Sequence, residues 1–286
     1  MVLYGAVEMG GTKTDLAVGT SFADMSAPHR IPTSDPEATL DQITEFFSKH
    51  MVDSVGVASF GPIDLDTGSS RYGTMLFTPK PGWTGTPVHD RLHSRIGAPV
   101  VIDTDVNGAA IGEGRWGAAQ GMADYVYVTV GTGIGAGVVV HGETIGGERH
   151  PEMGHIAVSL LDGDRHEGSC PYHGACLEGM AAGPALEARF GRPGTWPGND
   201  RVLAVAVHYL AQGILNLVYT VAPERIIVGG GVSALPGLHE RLRDRLDVLL
   251  AGYPRTPDLD LLISKPGLGE RSGLVGALLL AASGAA

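Results

Sequence analysis

Three stretches follow one another at the start of the chain: Val2-Leu3-Tyr4-Gly5-Ala6-Val7-Glu8, then Gly10-Gly11-Thr12-Lys13, then Asp15-Leu16-Ala17-Val18-Gly19. The flanking apolar runs predict two strands, and the glycine pair predicts the tight turn of a hairpin between them. The same architecture returns in Asp124 to Val130, Gly131-Thr132-Gly133 and Ile134 to His141. A repeat of architecture without a repeat of sequence predicts two similar α/β lobes, each presenting a glycine turn to a shared cleft.

Between and after the hairpins the periodicity alternates between 2 and 3.6. Leu40, Ile43, Phe46 and Phe47 predict a helix from Pro36 to His50, and Val52 to Phe60 predicts a strand. Pro99 to Ile102 predicts a strand whose end delivers Asp103-Thr104-Asp105-Val106-Asn107, with helix from Ala109 to Trp116. Further helices are expected at Leu177 to Phe190, Arg201 to Val221, Pro236 to Leu250 and Gly273 to Ala282. A strand at Ile226 to Val228 should run into Gly229-Gly230-Gly231.

Composition narrows the class. The chain has 286 residues, enough for two ordinary domains or one large one, and its 43% hydrophobic and 18% charged residues fit a folded globular protein. Its 43 glycines are about twice the average share, which favours tight turns and close backbone approach to a ligand. A net charge of −11 argues against nucleic acid or an anionic membrane as partner. Glu8 and Lys13 interrupt the first apolar stretch, so no secretory leader is expected, and no uninterrupted apolar run suits a membrane span. The two cysteines fit a reducing cytoplasm better than a disulfide scaffold.

Those cysteines carry the strongest local signal. Cys170, His173 and Cys176 are evenly spaced, so one turn can aim all three at a point, and thiolate with imidazole suits tetrahedral zinc. A fourth donor must come from elsewhere. His155 is the nearest strong candidate, with His150 and His166 as weaker rivals. Four protein donors leave no open position, so the zinc is expected to be structural. Glu152 and Glu178 bracket this loop and are placed to hydrogen-bond vicinal hydroxyls.

The glycine turns can present backbone N–H groups to phosphate oxygens, helped by the Thr12 and Thr132 hydroxyls and by Lys13. Neither carries the Gly-Lys-Ser/Thr ending of a P-loop. Asp103 and Asp105 leave a strand end, where catalytic carboxylates of α/β folds sit. Asp105, at the strand-to-helix junction, suits a general base, with Asn107 orienting the same substrate. The competing reading makes Asp103 or Thr104 a helix N-cap.

Together these segments resemble the ROK family of sugar kinases and repressors, within the hexokinase–actin fold. The resemblance rests on Glu8 to Thr14, Ala58 to Asp64, Thr78-Pro79-Lys80-Pro81-Gly82-Trp83, Asp103 to Ala110 and Thr129 to Gly135. It extends through His150 to His155, Cys170 to Gly179 and Gly229 to Val232, and is strongest to the bacterial fructokinase branch. It implies two RNase H-like lobes with a nucleotide cleft between them, at 1–115 joined by the C-terminal helix 272–286, and at 116–271 with the zinc loop. It implies ATP- and magnesium-dependent phosphorylation of fructose at the 6-hydroxyl, with Asp105 as general base and Asn107, Glu152, His155 and Glu178 on the sugar. Gly10, Gly11, Thr12, Lys13, Gly131, Thr132, Gly133, Gly183, Gly229, Gly230 and Gly231 fall on nucleotide-binding segments. The metal set becomes His155, Cys170, His173 and Cys176, and a cytoplasmic homodimer is expected. Two departures narrow the branch: Glu8 stands where the wider family has Asp, and His173 where it has a third cysteine. A mannose or glucose kinase is the neighbouring alternative, a non-catalytic sugar sensor a more distant one. A zinc hydrolase would need the open metal position this set lacks.

Overall fold

The computed structural model describes residues 2–284, and residues 285 and 286 of the expected C-terminal helix lie outside the described residues. The chain divides into two compact units. One is formed by the chain up to Gly117, by Thr144–Pro151 and by the chain from Arg271 onward; the other by Ala118–Glu143 and Glu152–Glu270.

In the first unit, β1 (Tyr4–Met9) and β2 (Lys13–Gly19) form the hairpin closed by Gly10 and Gly11. They are followed by β3 (His29–Pro32), α1 (Pro36–Ser48), β4 (Ser54–Ser59), α2 (Val88–Ile96), β5 (Val100–Thr104) and α3 (Asp105–Trp116). The sheet order is β3-β2-β1-β4-β5. β1 pairs antiparallel with β2 and parallel with β4, which pairs parallel with β5. All six residues of β4 are buried, as expected of a strand covered on both faces. Asp35 caps α1 by accepting from the Ala38 N–H at 3.0 Å, one residue ahead of Pro36 in the first turn.

The second unit repeats the plan with β6 (Tyr125–Val130), β7 (Ile134–Val140), β8 (Glu143–Thr144), α4 (Leu177–Ala181), α5 (Gly183–Phe190), α6 (Asp200–Val221), β9 (Arg225–Gly229), α7 (Leu238–Leu250), α8 (Leu259–Leu262) and β10 (Ile263–Ser264). Its sheet runs β10-β9-β6-β7-β8. α6 is long and apolar enough to cross a bilayer, with mean hydropathy 1.6 over its most apolar stretch, but 61% of that stretch is buried. Val202, Ala206, Tyr209, Leu210 and Ile214 sit in this unit's core, which accounts for the apolarity. The chain then returns to the first unit as α9 (Ser272–Gly284), which packs on α3, β4 and β1.

Several boundaries differ from expectation for local reasons. α3 begins at Asp105 instead of Ala109, because Thr104 caps it through its hydroxyl, 3.2 Å from the Asn107 N–H. The single helix expected over Leu177 to Phe190 is two. Ala182 is extended (φ −68°, ψ 164°) just before Gly183-Pro184, whose proline suits a helix's first turn and not its interior. β3 and α2 carried too weak a pattern to be anticipated.

Candidate active site and metal centre

In the first unit the side chains of interest collect where β1 and β5 end. Asp105 is the first residue of α3, half-buried, with Oδ1 2.9 Å from the Val106 N–H. Burial pushes its carboxyl up from 3.8 to about 6. Asp103, two residues earlier on β5, is likewise raised by burial to about 6, although the Asn107 amide and the Thr104 N–H partly offset the shift. Asp103 stands one residue before the end of β5, and Asp105 opens α3. Asp103 Oδ1 accepts from Asn107 Nδ2 at 2.8 Å. That bond turns Asn107 Oδ1 toward His150 Nε2, 3.3 Å away and also 3.4 Å from Thr104 Oγ1. Burial holds His150 down at about 4, so the ring is neutral at pH 7. Sequence reasoning offered His150 as a zinc rival; the structure uses it to fix an amide.

Glu8 ends the acidic group. Its Oε2 is buried and without a hydrogen-bond partner among the described residues. Burial, then the charges of Asp15 and Asp105, push its carboxyl up to about 7, against smaller effects of Lys13 and the Leu274 N–H at the start of α9. Gly11, Thr12 and Lys13 are exposed and Gly10 half-buried, with the Gly10 N–H on the Lys13 carbonyl at 2.9 Å. The Lys13 ammonium lies 3.7 Å from Asp15.

In the second unit the glycine turn Gly131-Thr132-Gly133 is held from three sides. The Gly183 N–H, opening α5, donates to the Gly131 carbonyl at 2.7 Å. Glu178 Oε2 accepts from the Ile134 N–H at 2.9 Å, and a Cβ on Gly133 would stand 2.7 Å from that oxygen. Gly230 has φ +86°, and a Cβ there would meet the Val130 carbonyl oxygen at 2.5 Å. Gly230 therefore needs glycine for its backbone and for the close approach, whereas a side chain at Gly133 would displace the Glu178 carboxylate. The turn, Gly183 and Gly229-Gly230-Gly231 thus converge on the C-terminal end of β6.

The metal-donor set lies in the same unit. The donor atoms of His155, Cys170, His173 and Cys176 all fall within 4.8 Å of one another. His155 Nδ1 is 3.6 Å from both Cys170 Sγ and Cys176 Sγ, and His173 Nδ1 is 3.8 Å from Cys170 Sγ. Tetrahedral zinc, with bonds of about 2.3 Å to sulfur and about 2.0–2.1 Å to nitrogen, sets its donors about 3.6 Å apart. Burial pushes the Cys176 thiol up, with Cys170 and Glu178 adding to the shift, so a thiolate here needs a cation beside it. His166 is engaged elsewhere, with Nε2 3.2 Å from Ser169 Oγ. His155 Nε2 lies 4.0 Å from Glu178 Oε1, so one carboxylate faces both the donor set and the glycine turn. Glu152, exposed, begins the short turn that carries His155.

The chain belongs to the ROK family, whose model matches residues 4–283. It is 41% identical over 281 residues to a fructokinase of Pediococcus pentosaceus, covering 98% of each chain. It is 42% identical over 292 residues to a fructokinase of Zymomonas mobilis, covering 98% of this chain and 96% of that one. Among solved structures, a ROK family glucokinase from Streptomyces griseus in complex with glucose and AMPPNP superposes with a TM-score of 0.81. Identity there is 26%, over 99% of this chain and 100% of that one.

Proposed function

We propose that this protein is a fructokinase, transferring the γ-phosphoryl group of ATP to the 6-hydroxyl of D-fructose. The observation that carries the reading is a carboxylate, Asp105, at a strand-to-helix junction and raised by desolvation to about 6, in a chain resembling fructokinases along its whole length. In the proposed step the fructose O6 attacks the γ-phosphorus, the bond to the β–γ bridging oxygen breaks, and ADP leaves. Asp105 accepts the proton O6 gives up. A carboxyl raised to about 6 is still mostly ionised at pH 7.5, yet more basic than an ordinary aspartate.

Asn107 is held by Asp103 and His150, so its remaining N–H and lone pair meet the sugar in one orientation. Glu152, His155 and Glu178 take further hydroxyls. The two glycine turns, Gly183 and Gly229-Gly230-Gly231 bind the nucleotide, whose phosphates face backbone N–H groups. Both Asp15 oxygens accept from Arg30, so the carboxylates that would suit a hard divalent cation are the orphaned Glu8 Oε2 and Asp105. Magnesium bound there would neutralise phosphate charge. Zinc is the metal we assign to His155, Cys170, His173 and Cys176, where it ties down the loop that carries the sugar-binding carboxylates.

A related specificity is the second reading, because the chain is also 28% identical to a glucokinase of Streptomyces coelicolor over 98% of its length. Measuring kcat/KM for fructose, mannose, glucose and N-acetylmannosamine with ATP and magnesium separates the two. Fructose is expected to lead; a preference for glucose would replace the fructokinase reading, and no ADP release with any sugar would remove the kinase reading.

A further inference from the structure

Lys80 lies outside both hairpins, yet its ammonium donates to the Gly11 carbonyl at 2.7 Å and to the Thr33 carbonyl at 2.9 Å. The loop bearing it is anchored. Trp83, fully buried, donates from its indole N–H to the Ser34 carbonyl at 2.8 Å, and packs edge-on against Phe60. The loop is therefore fastened to two successive carbonyls just past β3. Thr33 supports the turn as well: its N–H donates to the Thr12 carbonyl at 3.0 Å, and its hydroxyl is 2.8 Å from the Thr14 hydroxyl.

A trans peptide is planar, so each carbonyl points opposite to the N–H that follows it. The Gly11 and Thr12 carbonyls are both drawn toward the Lys80–Thr33 side. The Thr12 and Lys13 N–H groups are consequently turned the other way, as a pair, which is the arrangement that receives a phosphate oxygen. Gly11 and Thr12 are exposed, and a Cβ on Gly11 would meet nothing within 4 Å, so little else pins this tip. Partial desolvation lowers the Lys80 pKa, against the two carbonyls, which favour its charged form.

We propose that Lys80 is a positioning residue for nucleotide binding: by holding the Gly11 and Thr33 carbonyls it presets the Thr12 and Lys13 N–H groups to receive phosphate. This rests on the assignment of the first glycine turn to nucleotide phosphates. Without Lys80 the turn must be ordered by the ligand itself, and the loss falls on nucleotide affinity while sugar affinity is spared.

The test is calorimetric titration of the full chain with magnesium–AMPPNP, alongside steady-state KM values for ATP and fructose, in wild type, Lys80→Met and Lys80→Arg. Loss of a charged donor's hydrogen bonds is expected to weaken nucleotide binding about 10- to 100-fold in Lys80→Met. Fructose KM should stay at its wild-type value, and Lys80→Arg should recover most of the loss. Should the methionine variant not fold, Lys80→Gln gives the same comparison. A folded variant that binds nucleotide as wild type does would overturn the proposal while leaving the kinase reading intact. So would equal losses for ATP and fructose, which mark a merely structural role. A wild-type chain that binds no nucleotide overturns both.

Discussion

Replacing Asp105 by asparagine should move activity and stability in opposite directions. Moving a carboxyl from 3.8 to about 6 corresponds to about 3 kcal/mol of preference for the neutral form. The sign follows from linkage. The folded pKa is the raised one, so the stability this group contributes is complete below pH 3.8 and is lost as pH rises through about 6. At pH 7.5 the folded protein holds a buried charge it would rather not carry, and an amide of the same shape removes that cost. The variant should gain about 1–3 kcal/mol at pH 7.5, at about 2–4 °C in Tm per kcal/mol for chains near this size. Part of the gain comes from Glu8, which loses a repelling neighbour. Turnover should fall about 10²- to 10⁴-fold, the range for a positioned general base, with the fructose KM little changed. Tm measured by scanning calorimetry from pH 4 to 8, with kcat from ADP release, checks both halves. The Tm difference should shrink below pH 6 and vanish near pH 4. A variant as active as wild type removes Asp105 from the base role, and one less stable at pH 7.5 refutes the electrostatic reasoning.

Further outcomes follow from the same geometry. Metal analysis of protein purified without chelator should return about one zinc per chain, and Cys176→Ser should lose it; a metal-free, fully active preparation would contradict the assignment. Gly133→Ala places a Cβ 2.7 Å from Glu178 Oε2 and should raise the fructose KM about tenfold by displacing that carboxylate; an unchanged KM would take Glu178 off the sugar. Gly230→Ala, at φ +86° and 2.5 Å from the Val130 oxygen, should cost about 1–3 kcal/mol or more, read as a lowered Tm. The acid limb of the kcat/KM profile should fall as pH drops through about 6, where Asp105 takes up its proton.

What could be read from the chain beforehand was what is local. Cys170, His173 and Cys176 are neighbours along the sequence, and their spacing already pointed to a metal. The glycine hairpins likewise declare themselves within the short stretches 2–19 and 124–141. What escaped was long-range or decided by a single cap. Asp103 and Thr104 could be ranked for the N-cap only once the Thr104 hydroxyl was seen on the Asn107 N–H. His150 meets Asn107 across 43 positions, and Lys80 meets Gly11 across 69, separations at which no periodicity operates. Gly183 came from resemblance alone; its N–H on the Gly131 carbonyl supplies a physical reason for it to border the turn. α2 was missed because its apolar face rests on two buried residues, Val88 and Leu92.

The central claim is that the Asp105 carboxylate removes the proton from the fructose 6-hydroxyl. A crystal structure with fructose and a non-hydrolysable ATP analogue tests it most directly. Asp105 should lie about 2.6–3.2 Å from O6, on the side away from the γ-phosphoryl group. A 6-hydroxyl held by another side chain, with Asp105 turned into the protein, would contradict it.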